Sequence, residues 1–264
     1  MLGTLAVGYM ATRILHVSAN PIWWIILPMS VWIVYTLDHI IDSYKNKTEA
    51  VIYRHKFHYL NRKSISIVMI FTGTTTLILS VLFLDTQIII LGILLSLVIA
   101  FYFALIFFFK QKRSIFLQKE LIIAIAYTTG IFMAPLYWYG SLPSFSVIVV
   151  IFNIFILAWF EGIMISWFDY DNDIKDGHTS FTILFGKRNT RQFLILGHMI
   201  IEIITIIFLV ITPFNIVFWA LLVTLVMNLL LGFIIIFPHS FAQNNYYRII
   251  GETVFLLPVL VVFV

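Results

Sequence analysis

The stretch FDYDNDIKDGHTSFTILFG, residues 168–186, places Asp169, Asp171, Asp173 and Asp176 close together in a chain otherwise dominated by Ile, Leu, Val and Phe. Of its 264 residues 62% are hydrophobic and 11% charged, and the mean hydropathy is +1.05. Too little polar surface remains to cover a water-soluble globule, so the solvent implied is lipid. Apolar runs recur at the ~20 residues that one helical bilayer crossing needs. They cover 1–17, 21–42, 64–84, 87–109, 120–140, 144–168, 192–212, 214–237 and 248–264. The expectation is an all-α polytopic membrane bundle of about nine transmembrane helices. No linker or low-complexity tract divides the chain, so it reads as one domain, 1–264. The first run has neither a basic leader nor a small-residue cleavage site and reads as a spanning helix, not a removed signal peptide.

Cysteine is absent, which removes disulfides, thiolate metal sites and cysteine nucleophiles. The net charge of +4 is distributed by topology, not as a nucleic-acid-binding face. Lys and Arg fall after runs two, four, six and eight, with Arg13 alone elsewhere, while the connections at 85–86, 141–143 and 213 carry none. By the positive-inside rule the basic connections are cytosolic, and the setting expected is a prokaryotic cell membrane.

Run two ends in YTLDHIIDSYK, which carries Asp38 and Asp42, and this spacing repeats at the end of run six as Asp169 and Asp173, extended by Asp176. Residues four apart share one helix face. Each pair therefore aims two carboxylates the same way where a helix leaves the bilayer, and both pairs lie on the side predicted to be cytosolic. Such acids repel unless a cation sits among them. A ligand set of oxygens without Cys suits Mg²⁺, which with few carboxylates shares its remaining positions among water and substrate phosphate. Asp38, Asp42, Asp169, Asp173 and Asp176 are the candidate metal ligands. Asp171 falls on another face, and the neighbouring His39 and His178 are left out of the set.

The second acidic segment resembles the second motif of the UbiA superfamily of membrane prenyltransferases, with Asp169, Asp173, Gly177 and Gly186 in register. LDHIID is similar to the end of that family's first motif, and FFFKQKRSIFLQKE to its basic stretch between the fourth and fifth helices. At the positions of the opening Asn and Asp of those motifs this chain has Val34 and Tyr35, then Ile165 and Ser166, so it is identified as a divergent member. The resemblance implies Mg²⁺-dependent transfer of a polyprenyl group from its diphosphate to a lipid-soluble, aromatic acceptor. Asp38, Asp42, Asp169 and Asp173 would be catalytic through the metal, which neutralises charge as the C–O bond breaks. Lys112, Arg113, Lys119 and Arg54 would contact the diphosphate, for which Arg is best shaped.

The allylic cation implied by that chemistry needs a dry cavity with aromatic faces. Phe168 and Tyr170 are the expected neighbours, with Tyr44 and Tyr53 as further candidates, while Tyr137, Trp138 and Tyr139 read as an outer-interface cluster. Glu161, two turns before Asp169 in a predicted span, could shape the acceptor pocket or take a proton. Asn153, Glu202 and Asn228 read as hydrogen-bonding groups between helices. Two other functions fit parts of the pattern: a terpene cyclase of the same superfamily, and an ion-coupled transporter. Transporters place acids near the midplane beside broken helices, whereas most acids here lie at helix ends next to basic loops.

Overall fold

The structure is a computed structural model that describes residues 1–46, 53–108, 118–177 and 179–263. Among them there are helices and no strands. In order they are α1 (Leu2–Ile14), α2 (Trp23–Asn46), α3 (Tyr53–Leu60), α4 (Arg62–Phe83), α5 (Thr86–Phe108), α6 (Lys119–Tyr139) and α7 (Phe145–Phe168). Then come α8 (Tyr170–Lys175), α9 (Phe181–Phe185), α10 (Lys187–Ile211), α11 (Ile216–Ile236), α12 (Pro238–Ala242) and α13 (Tyr246–Val254), and a 3₁₀ stretch, Leu257–Phe263, follows.

Eight of the described segments are long and apolar enough to cross a membrane. They correspond to the second to ninth apolar runs. The first run forms the 13-residue helix α1, which is buried in the bundle through Val7, Met10 and Ala11. The last candidate span, Pro238–Phe263, is not one rod: Asn244 and Asn245 take left-handed backbone angles, φ 51° and 57°, and break it between α12 and α13. That break sets the direction in which α13 leaves, which matters for the site below.

Local sequence signals explain where the spans start and stop. Ser144 caps α7 by accepting from the Val147 N–H, and Asn215 caps α11 by accepting from the N–H groups of Val217 and Phe218. Gly140, at φ 70°, ends α6 in the left-handed conformation that glycine adopts without a Cβ penalty. The outward faces of α4, α5 and α10 expose Phe71, Leu82, Val98, Phe101, Ile203 and Val210. A water-soluble protein would not leave so much apolar surface open, and lipid is the solvent it suits.

Inside, α7 runs along α6, α10 and α11. Its Asn153 donates to Thr205 Oγ1 at 2.9 Å and to Thr224 Oγ1 at 3.2 Å, joining three helices. Asn228 and His198 form a second polar tie between α10 and α11, with Nδ1···Oδ1 at 2.6 Å and the amide donating to the His198 carbonyl. Such bonds hold spans together where hydrocarbon neighbours supply no hydrophobic drive.

Candidate active site

α2 continues helically past its apolar stretch, so Asp38 and Asp42 sit on successive turns of one face at the polar end of the bundle. The counterpart is built differently. α7 stops at Phe168, Asp169 occupies the junction, and the short α8 carries Asp173 before Gly177, at φ 66°, turns the chain away. All four carboxylates face one cavity of about 870 Å³ that continues into the apolar interior.

Asp38 and Asp42 are buried, and both engage Lys119, the first residue of α6. The ammonium lies 2.8 Å from Asp38 Oδ1 and also donates to Asp42 Oδ2. On the other side of the cavity, Asp169 receives two donors from α13: the Tyr247 hydroxyl and the Arg248 guanidinium, each at 2.6 Å. Burial pushes the Asp173 carboxyl up to about 7, and the neighbouring Asp169 charge adds to the shift. Each acid is thus either paired with a cation or biased towards its neutral form, which is how carboxylates coexist in a poorly solvated space.

Glu120, Glu161 and Glu252 also line the cavity, as does Arg248. Glu120 Oε1 accepts the Phe181 N–H at 2.9 Å, which ties the start of α6, and so Lys119, to α9. His39 also lines the cavity, between the rings of Tyr35 at 4.2 Å and His58 at 5.0 Å. Ile165 and Ser166 line it too; the Ser166 hydroxyl is 2.9 Å from that of Thr182.

Several residues expected here from sequence lie elsewhere. Phe168 does not line the cavity; its ring stacks on Tyr247 at 4.2 Å and 11°, supporting the hydroxyl that reaches Asp169. Tyr170 stands under the Lys187 ammonium, outside the cavity. Aromatic surface reaches the cavity from Tyr35, Phe103 and Tyr127 instead. Asp176 is buried at the end of α8 and is not part of the lining. The exposed Asp171 pairs with Lys187 at 3.5 Å. Lys112, Arg113 and His178 lie outside the described residues, as do the side chains of Tyr44, Tyr53 and Arg54.

Tyr247 and Arg248, like the cavity residues Tyr35, Phe103, Glu120 and Tyr127, are not among the site residues expected from sequence. In sequence Arg248 is one of the topology charges. The available signal was its position: a single Arg opening an otherwise apolar run, beside a tyrosine.

By donor chemistry the residues fit Mg²⁺, since four carboxylates converge on one space and a cation already bridges two of them. As the side chains stand, no group of three or more His, Asp or Glu among the described residues is gathered closely enough to hold an ion. A metal would therefore bind by displacing Lys119 or Arg248 from the acids they hold.

No family model matches the chain, and no curated protein does. Among solved structures, a UbiA homolog from Archaeoglobus fulgidus, determined bound to GPP and Mg²⁺, is similar over 100% of this chain and 95% of that one, with a TM-score of 0.65 and 14% sequence identity. At that identity the likeness speaks for the fold: a helical membrane bundle with the architecture of a UbiA homolog.

Proposed function

We propose that this chain is a Mg²⁺-dependent intramembrane prenyltransferase, which moves a polyprenyl group from its diphosphate to a lipid-soluble aromatic acceptor. The observation that carries this reading is the convergence of both Asp pairs on one cavity that is ionic at one end and apolar beyond. A prenyl diphosphate has the same two-part character, an anionic head and a hydrocarbon tail. The binding of GPP and Mg²⁺ by a protein of the same fold supports the assignment.

In this reading Asp38, Asp42, Asp169 and Asp173 would hold Mg²⁺. Held by these carboxylates, Mg²⁺ would supply positive charge against the diphosphate leaving group. Lys119 turns from its carboxylates to the diphosphate, joined by Arg54, Lys112 and Arg113 from the basic loops. As the allylic C–O bond breaks, its electron pair leaves with the diphosphate. The acceptor forms the new bond to the allylic carbon and loses a proton, for which Glu161 is the candidate base. Tyr35, Phe103 and Tyr127 offer π-faces to the cation without attacking it. The loops 43–63, 110–119 and 169–191 share the cytosolic side, and the whole chain acts as one domain.

The test is direct. Purified protein in liposomes is given geranyl diphosphate, Mg²⁺ and a lipid extract from cells that lack the protein, and mass spectrometry follows prenylated lipid and released diphosphate. A new prenylated species that requires both protein and Mg²⁺ is expected. Diphosphate release accompanied by a cyclised hydrocarbon would favour a cyclase, and no release with any prenyl diphosphate would end the prenyl-transfer reading.

A further inference from the structure

Gly73, Gly92 and Gly130 lie inside three different spans, α4, α5 and α6, and all three line the cavity. Glycine weakens a helix interior relative to alanine, so its place in a span calls for a reason. The usual reason is close helix packing, and this chain shows it elsewhere. A Cβ added at Gly8 would meet Leu27 at 2.9 Å, and at Gly197 it would run into the ring of Phe160. None of Gly73, Gly92 and Gly130 is crowded in this way, whereas a Cβ at Gly3, which also lines the cavity, would meet Phe255 at 2.9 Å. The nearest atom to an added Cβ is Ile33 Cδ1 at 3.9 Å for Gly73 and Leu95 Cδ2 at 3.8 Å for Gly130, and for Gly92 nothing lies within 4 Å.

Their positions show which space they leave open. Gly92 shares its helix face with Ile88 and Ile99, which are four and seven residues away, buried, and on the cavity lining. Gly130 shares a face with Ile123 and Tyr127, also cavity residues, and lies 11 residues from Lys119 along α6. At 1.5 Å per residue that is about 16 Å from the ionic end, near the middle of a bilayer core. Leu95, which approaches Gly130, is three residues from Gly92, so the two glycines lie within about one turn of the same depth. Gly73, from α4, lies beside Ile33 of α2, five residues from Asp38 or about 8 Å along that helix, and so nearer the ionic end.

We infer that Gly92 and Gly130 form a belt that keeps the cavity open at this depth, with Gly73 before it, and thereby sets the length of the prenyl tail it accepts. The inference rests on the prenyl diphosphate reading given above. Side chains at the belt would block a tail that passes it and leave room for a shorter one that stops before it.

The experiment measures dissociation constants of all-trans prenyl diphosphates, from geranyl to geranylgeranyl and longer, on the full chain in detergent with Mg²⁺. Inorganic diphosphate serves as the tail-less reference. In Gly92→Leu and Gly130→Leu, affinity for the longest donors should fall by about tenfold or more relative to geranyl diphosphate, with the Ala variants in between. Should a Leu variant fail to fold, Gly92→Val, which enters open space, decides in its place. An unchanged long-to-short ratio in variants that melt like the parent overturns the belt while leaving the prenyl-transfer reading intact. A parent that binds prenyl diphosphates no better than inorganic diphosphate overturns that reading, and the belt with it.

Discussion

The two Asp pairs have the same spacing in sequence and are held in different ways. Asp38 and Asp42 belong to one continuous helix, α2, and share one ammonium, that of Lys119. Asp169 and Asp173 straddle the break between α7 and α8, and Asp169 is engaged by Tyr247 and Arg248 of α13. Asp173 is pushed towards its neutral form by burial and by Asp169. The first pair is thus joined through the Lys119 ammonium on one continuous helix. The second is divided between one anchored carboxylate and one held back from ionising. A cation entering the cavity would find its least committed ligand at Asp173, and would have to displace a protein cation to recruit the others.

The comparison can be broken most severely at the acids. Asp42→Asn and Asp173→Asn should each lower turnover of a prenyl diphosphate by about a hundredfold or more, the scale of losing one electrostatic contact to a transition state. Near-parent rates at matched abundance would show that the pairs serve no reaction. The next largest effect is expected on stability. Lys119→Ala removes the ammonium that both buried carboxylates engage and should cost about 3 kcal/mol, reduced from the fully buried case because the ammonium is partly exposed. Thermal unfolding in detergent without Mg²⁺ measures it, and adding Mg²⁺ should recover much of the loss; no loss would mean that the first pair does not depend on its cation.

Two smaller substitutions sharpen the contrast. Tyr247→Phe removes a donor to Asp169 and should cost about 1 kcal/mol, read as a lower thermal midpoint, whereas a cost matching that of Lys119→Ala would show that Asp169 relies on Tyr247 as much as the first pair relies on Lys119. Asp171→Asn breaks only a surface pair with Lys187. It should shift stability by less than about 1 kcal/mol and leave turnover near the parent's, so a large loss of turnover would bring Asp171 into the site.

Residues that face each other along one helix were legible in advance. The shared face of Asp38 and Asp42 follows from helix periodicity, whereas Asp169 and Asp173, at the same spacing, reach the cavity from either side of the break between α7 and α8. Phe168 and Tyr170 show the limit of that method. Both flank Asp169, yet α7 ends and α8 begins between them, so neighbours in sequence leave in different directions and neither ring enters the cavity. Asp176 illustrates the same limit from the far end of α8.

By itself the sequence determined the solvent, the number and length of the apolar runs, the placement of the basic connections and the two acidic helix ends. Each of these depends on composition and on a period of 3.6 residues, which are local properties. Only the tertiary structure decided which cations answer which acids, because Lys119 is 77 residues from Asp42 and Arg248 is 79 from Asp169. It also decided which glycines are crowded and which face open space, since that depends on what neighbouring helices bring near them. Long-range pairing of this kind is set by how spans pack and by where the last one breaks, at Asn244 and Asn245, and no local period encodes it.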